Sequence, residues 1–196
     1  MSDKAYLQFQ LEDAAVKLTK CEPKKATRGN KEVVNTYSDW EYTGHAIILG
    51  HFHSELRPAL LVKTDTKDGL DPDHRPLVRF APLGWIPWDW KSSGYNLVVP
   101  RGVSGTGYIR GNIELIDNFR FKVLEGDRCT IRWRTRSDLA DAERGVLTGM
   151  VGQTFPASFL PPGDDYVAPE PPAKKSRRGS APAVDEKQQE LAGAEA

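Results

Sequence analysis

Cysteine is scarce in this sequence. Cys21 and Cys129 are the two in 196 residues, too few and too far apart for a disulfide scaffold or a four-thiolate zinc site. Both are expected to behave as small buried hydrophobes. Long apolar runs are missing too: no stretch approaches the roughly 18 uninterrupted apolar residues of a membrane-spanning helix, and the mean hydropathy is −0.53. Nor is there an excess of one charge, because 27 Lys+Arg balance 27 Asp+Glu to a formal net charge of zero. A whole-molecule positive field is thereby excluded, so any case for an anionic partner rests on local arrangement. The first residues, Met1 to Tyr6, lead into alternating sequence without an apolar signal core or a small-residue cleavage site. A cytoplasmic protein with no membrane association is expected.

What is there divides the chain in two. Beyond Pro161-Pro162 there is no Trp, Phe, Ile, Met or Cys, while Pro, Ala, Glu, Lys and Ser dominate. Such a composition cannot bury enough apolar surface to offset the entropy of ordering, so residues 161–196 are expected to form a disordered tail. The tail carries a basic knot, Lys174-Lys175-Ser176-Arg177-Arg178, which fits either an electrostatic tether or simple solubility. Residues 1–160 form one expected globular domain of predominantly β structure, an antiparallel sandwich or partly open barrel. Apolar and polar residues alternate there over short stretches broken by Gly, Pro, Asn and Asp.

Within that domain, strands are expected at Tyr6 to Glu12, Ala15 to Cys21, Glu41 to Leu49, Tyr95 to Val99, Gly107 to Ile109, Ile113 to Ile116, Phe119 to Leu124, Arg128 to Arg136 and Gln153 to Leu160. The basic, Gly-Asn-containing stretch Lys24 to Asn30 reads as a loop, as does Thr64 to Pro76. Two short helices are expected. One runs from Ser54-Glu55-Leu56 through Leu61; the other is capped by Ser137 or Asp138, with Leu139, Ala142, Val146, Leu147 and Met150 at helical spacing.

The most informative segment is the hairpin around Glu125-Gly126-Asp127. A three-residue loop sets Val123 opposite Cys129, Phe121 opposite Ile131 and Phe119 opposite Trp133, collecting six apolar side chains on one face. A slip of one residue would set each against a polar partner. The other face then collects Arg120, Lys122, Arg128, Arg132, Arg134 and Arg136. Like charges directly opposite, such as Arg120 and Arg132, destabilise by a few tenths to about 1 kcal/mol unless neutralised. Two readings stand open: a phosphate-bearing partner held by the guanidinium groups, or acidic residues such as Glu114 and Asp117 interleaving from neighbouring strands.

Other constellations are weaker. Trp85, Trp88 and Trp90 lie in an aromatic, turn-rich stretch where one or two indoles, Trp85 and Trp88 foremost, are candidates for stacking on bases; the rest belong to the core. His51-Phe52-His53 would project two imidazoles to one side of a strand, but no cysteine pair, His-Glu-x-x-His helix or carboxylate cluster completes a metal site. Gly102 to Gly107 lacks the lysine of a phosphate loop and reads as a hairpin connection. Asp71 and Asp73 are paired carboxylates in a loop without an apolar setting, and no nucleophile elbow is present. No catalytic residue, cofactor or metal is expected, and the protein reads as a non-enzyme.

The order of Phe52-His53-Ser54-Glu55-Leu56-Arg57-Pro58-Ala59-Leu60, Leu77-Val78-Arg79-Phe80, Leu83-Gly84-Trp85, Gly94-Tyr95-Asn96-Leu97, Phe119-Arg120-Phe121 and Ile131-Arg132-Trp133 resembles that of small proteins encoded by tailed bacteriophages and prophages. The resemblance spans residues 6–160 and rests on apolar and turn residues. It implies a phage setting inside a bacterial host and carries no catalytic residue across. The leading expectation is an accessory protein that binds nucleic acid, single-stranded DNA in particular, through the basic hairpin face with help from Trp85 and Trp88. The alternatives are a phage protein that binds and inhibits a host defence or transcription factor, and a structural component of the virion.

Overall fold

The computed structural model describes residues 9–62, 77–80, 83–101 and 107–163. The expected loop at 64–76, the connection at 102–106 and the tail from 164 onward, with its basic knot, lie outside the described residues, as do Asp71, Asp73 and His74. The elements run β1 (Leu11–Arg28), β2 (Lys31–His45), a 3-10 helix (Ala46–His51), α1 (Leu56–Leu60), β3 (Leu61–Val62), β4 (Leu77–Val78), β5 (Ile86–Trp88), β6 (Tyr95–Pro100), β7 (Tyr108–Leu124), β8 (Arg128–Asp138), α2 (Asp141–Gly149) and β9 (Thr154–Leu160).

Six strands close into an antiparallel barrel in the order β1-β2-β8-β7-β6-β9 and back to β1. Closure removes the unpaired sheet edges that would template association with other chains. β5 is the additional strand; it pairs with the far half of β7, Ile86 opposite Phe121 and Trp88 opposite Phe119. β3 and β4 form a separate two-stranded pair. The hairpin register expected around the 125–127 turn is present, with Val123 opposite Cys129, Phe121 opposite Ile131 and Arg120 opposite Arg132. Beyond that the ladder shifts between Asp117 and Arg120. Asn118, at φ +55, is the bulged residue, so Phe119 stacks on Trp133 with centroids 6.4 Å apart but does not oppose it one-to-one.

Several expected boundaries are corrected. Of the two first strands, Tyr6 to Gln8 lie outside the described residues, and Leu11 to Cys21 belong to one strand, β1, bent by a bulge where Asp13 takes φ +44. Lys24 to Arg28 is strand and not loop, because Pro23 through Arg28 pair residue for residue with Thr36 through Lys31. The Ile47-Ile48-Leu49 run belongs to the 3-10 helix. Ile48 and Leu49 are both buried while Ile47 is 65% exposed, and two adjacent inward side chains suit a helical turn where a period-two strand cannot supply them. Gly107–Ile109, Ile113–Ile116 and Phe119–Leu124 merge into β7. The second helix starts at Asp141 with Ala140 as its uncapped N-cap. Ser137 is the last inward residue of β8, its hydroxyl donating to the Thr36 carbonyl oxygen at 3.5 Å.

The barrel interior has two zones. At one end Phe9, Trp40, Trp133, Phe119, Phe121 and Phe159 are fully or almost fully buried. Phe9 meets Phe119, Trp133 and Phe52 at 5.2–5.4 Å between centroids, and Phe159 meets Trp40 and Trp133 at 5.1 and 5.0 Å. All but the tilted Phe9–Phe52 pair are edge-to-face, and such pairs add to the stabilisation from apolar burial. Toward the other end the inward residues are small and polar: Thr36, Ser38, Thr135 and Ser137. They are satisfied internally, with Trp40 Nε1 donating to Thr135 Oγ1 at 2.9 Å. α2 covers this end through Leu147, which is buried. It is tied down by Arg144, which donates to Thr36 Oγ1 at 3.1 Å, to the Val34 carbonyl at 3.1 Å and to the Leu139 carbonyl at 2.8 Å.

Opposite, Asp127 of the β7–β8 turn anchors the excursion between β2 and β5. Arg57 of α1 donates to both its carboxylate oxygens, with Nε at 3.1 Å from Oδ1, and His45 Nε2 lies 3.2 Å from Oδ2. The glycine next to it, Gly126, has φ +72, as the tight turn requires.

Because Phe159 touches three other buried rings, Phe159→Ala should lower stability by about 3 to 5 kcal/mol, the usual cost of emptying a large aromatic site. The shift in the denaturant midpoint, at unchanged slope, is the measurement.

Candidate functional site

Strand parity decides which face each predicted cation occupies. On β8 the residues Cys129, Ile131, Trp133, Thr135 and Ser137 are buried, which turns Arg128, Arg132, Arg134 and Arg136 outward. Arg120 and Lys122 alternate with buried Phe119 and Phe121 on β7 and also face out. All six cations therefore share the outer wall, as the hairpin pattern indicated.

They do not share one electrostatic condition. β2 lies against β8 with Trp40 opposite Trp133, Asp39 opposite Arg134 and Glu41 opposite Arg132. Arg132 Nε donates to Glu41 at 2.6 Å, and Arg134 grips Asp39 through Nε and Nη2 at 2.7 and 3.2 Å. Arg136 Nε stands 3.2 Å from Glu114. The hydrogen bond to Asp39, reinforced by the charges of Asp39, Asp117 and Glu22, pushes the Arg134 guanidinium pKa upward against the effect of burial. The wall is thus a checkerboard of alternating charge across β1, β2 and β8, since Lys17 faces Glu41 and Lys20 faces Asp39 on the far side. Of the two acids expected to interleave, Glu114 pairs with Arg136, while Asp117 stands opposite Arg134 in the ladder.

Arg120, Lys122 and Arg128 are exposed and make no ion pair among the described residues. Trp85 joins them on the outer wall, two residues before Pro87, which opposes Arg120. The Arg132 guanidinium carbon lies 4.3 Å from the centroid of the Trp85 ring. A cation over an indole at that distance is attracted by the ring quadrupole. Trp88 is a correction to the expected stacking pair. It opposes Phe119 on the inward side of β5 and packs on Phe121 at 5.8 Å, as Trp90 packs on Phe119 at 5.2 Å. Strand alternation over Trp85 to Trp88 separates the two indoles onto opposite faces.

A polar depression of about 340 Å³ opens in the same wall, lined by Thr19, Asp39, Asn118, Arg120, Arg132 and Arg134 among others. Two bulges frame it. β1 shifts register between Leu18 and Lys20, which makes Thr19 the extra residue, and β7 shifts at Asn118. Bulges bend a strand and re-aim its side chains. Here they hollow the wall at the point where three guanidinium groups meet one lining carboxylate.

The remaining candidates have structural employment. His51 Nδ1 accepts from the Gln10 amide at 3.3 Å, and burial lowers its pKa. His53 Nδ1 accepts from the Glu55 amide at 3.1 Å. His51 ends a 3-10 helix, so the two rings are not on one side of a strand. No group of three or more His, Cys, Asp or Glu able to hold a metal occurs among the described residues. Cys21 and Cys129 are buried, as expected. Burial, with the Asp127 charge adding to it, pushes the Cys129 thiol up to about 12.

Asp39 and Glu41 are the residues that sequence reasoning missed. Their signal was the triplet Asp39-Trp40-Glu41, the charge complement of Arg132-Trp133-Arg134 in antiparallel register.

No protein-family model matches the chain, and neither does a curated protein or a solved structure. The class that the fold defines is a closed antiparallel β-barrel with an accessory strand and a charged, aromatic-edged outer wall. No helix among the described residues is long and apolar enough to cross a membrane.

The checkerboard makes predictions of opposite sign. Arg120→Ala removes a cation that faces Arg132 without an acid of its own, and should raise stability by a few tenths to about 1 kcal/mol. Asp39→Asn strips Arg134 of its bidentate partner, and should lower stability by about 1 to 2 kcal/mol. Thermal unfolding of both variants at one ionic strength tests the pair; equal shifts of the same sign would refute the arrangement.

Proposed function

We propose that the protein is a non-enzymatic accessory factor that binds nucleic acid, single strands in particular, on the outer wall around Trp85, Arg120, Lys122 and Arg132. The single observation that carries the reading is the half-buried Trp85 indole stacked with Arg132 beside two exposed cations that have no acid of their own. An aromatic plate next to backbone-neutralising cations is how proteins hold unpaired strands, the ring taking a base and the cations the phosphates. Arg128, exposed farther along β8, extends the footprint. Arg134 spends its donors on Asp39 and Arg136 is ion-paired with Glu114, so their role is to hold the wall in shape. In the phage setting that the sequence resemblance implies, the site of action is the cytoplasm of the bacterial host.

A second reading has one observation in its favour. Phe80 and Leu83 are 53% and 47% exposed on the approach to Trp85, and exposed apolar side chains near an indole also suit the centre of a protein interface with a host factor.

Fluorescence anisotropy with labelled single-stranded oligonucleotides at about 50 and 200 mM salt separates the two, because phosphate binding weakens steeply over that interval and an aromatic interface does not. Trp85→Ala should cost about 1 to 3 kcal/mol of single-strand affinity. Arg120→Gln with Lys122→Gln should reduce the slope of log affinity against log salt by about 1.4, the value for two single-strand phosphate contacts. Substituting Arg132 or Arg134 would be a poorer test, since each change also leaves Glu41 or Asp39 without its partner. Binding that ignores both Trp85 and the Arg120/Lys122 pair would discard the proposal.

A further inference from the structure

The β1–β2 hairpin outruns the barrel it helps to build. On its β2 side the last pairing with β8 is Thr36 opposite Ser137, and on its β1 side the last pairing with β9 is Lys17 opposite Thr154. Yet β1 and β2 continue to pair with each other, Pro23 with Thr36 and on to Arg28 with Lys31. A two-residue turn closes the end, with Gly29 at φ +62. Five residue pairs thus project past the last barrel pairing, a reach of about 17 Å at strand spacing. The base of this ribbon is braced, because Arg144 of α2 donates to the Val34 carbonyl at 3.1 Å and to Thr36 Oγ1 at 3.1 Å.

The charge on the ribbon departs from that of the wall. From Lys20 to Val34 there are five cations, Lys20, Lys24, Lys25, Arg28 and Lys31, against Glu22 and Glu32. Lys20 and Lys24 share Glu22 at 2.8 and 3.9 Å, and Lys25 pairs with Glu32 at 2.9 Å. The wall matches arginine to carboxylate across strands; the ribbon carries an excess of three positive charges on a rod two strands wide. By register Lys24 falls on the face that continues the outer wall through Tyr37 and Asp39. Residues 23–36 include no aromatic side chain, and the ring at the ribbon's base, Tyr37, is covered by the Lys24 ammonium at 5.1 Å from its centroid, so the projecting part offers no open plate for an unpaired base.

We infer that the β1–β2 ribbon is a contact arm for double-stranded DNA, laid along the duplex backbone or into its major groove. Four observations favour that occupant: a two-stranded width that the major groove of about 12 Å admits, net positive charge to release condensed counterions, the absence of stacking groups, and continuity with the face proposed for single strands. The inference rests on the nucleic-acid reading and adds a second substrate form to it. A duplex on the arm and its unpaired extension on the wall at Trp85 would together make a duplex bearing a single-stranded overhang the best ligand of the full chain.

The test compares the full chain with a variant carrying Lys24→Gln, Lys25→Gln, Arg28→Gln and Lys31→Gln, binding labelled duplex, single-stranded and overhang oligonucleotides of one sequence. Duplex affinity at low salt should fall about tenfold or more, and the duplex salt slope by about 3 to 4, as for four backbone contacts. Single-strand affinity should change by less than about twofold. Unchanged duplex affinity and slope in the variant, or no measurable duplex binding by the full chain, would overturn the inference. Failure of the single-strand reading has a separate signature, insensitivity to Trp85→Ala with duplex binding retained. Should the quadruple variant melt early, a triple variant that keeps Lys25, and with it the Glu32 pair, gives the same reading with an expected slope change of about 2.7.

Discussion

The register of β2 against β8 is the constraint on which the rest of the structure depends. With Trp40 set opposite Trp133, strand parity sends both indoles into the barrel and sends Asp39 and Glu41 outward against Arg134 and Arg132. A slip of one residue would turn one strand over against the other and bury either the two carboxylates of β2 or the two guanidinium groups of β8 in an aromatic interior, at a desolvation cost of several kcal/mol for each ion. Core packing and wall electrostatics are therefore two consequences of one pairing. They support each other, as expected of a sequence with a single well-separated native state.

Two bulges turn a regular wall into a shaped one. Without the extra residues Thr19 and Asn118 the outer surface would carry uniform rows of alternating charge. With them, β1 and β7 bend away, and a depression opens where Arg120, the cation that β2 cannot reach, meets Arg132 and Arg134. The positive charge left over after pairing is concentrated on the β7 side, next to Trp85 on the approach to β5. The ribbon at the end of β1 and β2 concentrates it a second time by another device, extension past the pairing with β8 and β9, where Glu22 and Glu32 of the ribbon itself are outnumbered by its cations. A chain with zero formal charge thus presents two local basic surfaces, which is how a neutral domain can still engage a polyanion.

The β character, the two helices near Leu56 and Ala142, and most of the 119–136 hairpin were legible because each rests on local information. Alternation, turn residues and the apolar pairing of Val123 with Cys129 and Phe121 with Ile131 all lie within one short span of chain. Where reading failed, the deciding partner was distant in sequence or the period changed. Lys24 to Arg28 looks like a loop by composition, but its partners Lys31 to Asn35 carry the β-branched Val33 and Val34 that hold the ribbon together. Ser137 looks like a helix cap until β2 arrives to make it an inward strand residue bonded to Thr36. Trp88 looks like a stacking plate until β7 shows which side of β5 faces in.

The amino-acid sequence by itself determined the period-two pattern, the turn at Gly126, and the set of six cations on one face of a hairpin, since these follow from strand geometry and nearest neighbours. Only the tertiary structure decided that the sheet closes into a barrel, that Asp39 and Glu41 neutralise Arg134 and Arg132, that Trp85 and not Trp88 shares the outer wall with Arg120, and that β1 and β2 extend past the rim. Each of these depends on which distant strands meet and in what register. That choice is made by burial of Trp40, Trp133 and Phe159 in a common interior, an energy that no single segment of the chain contains.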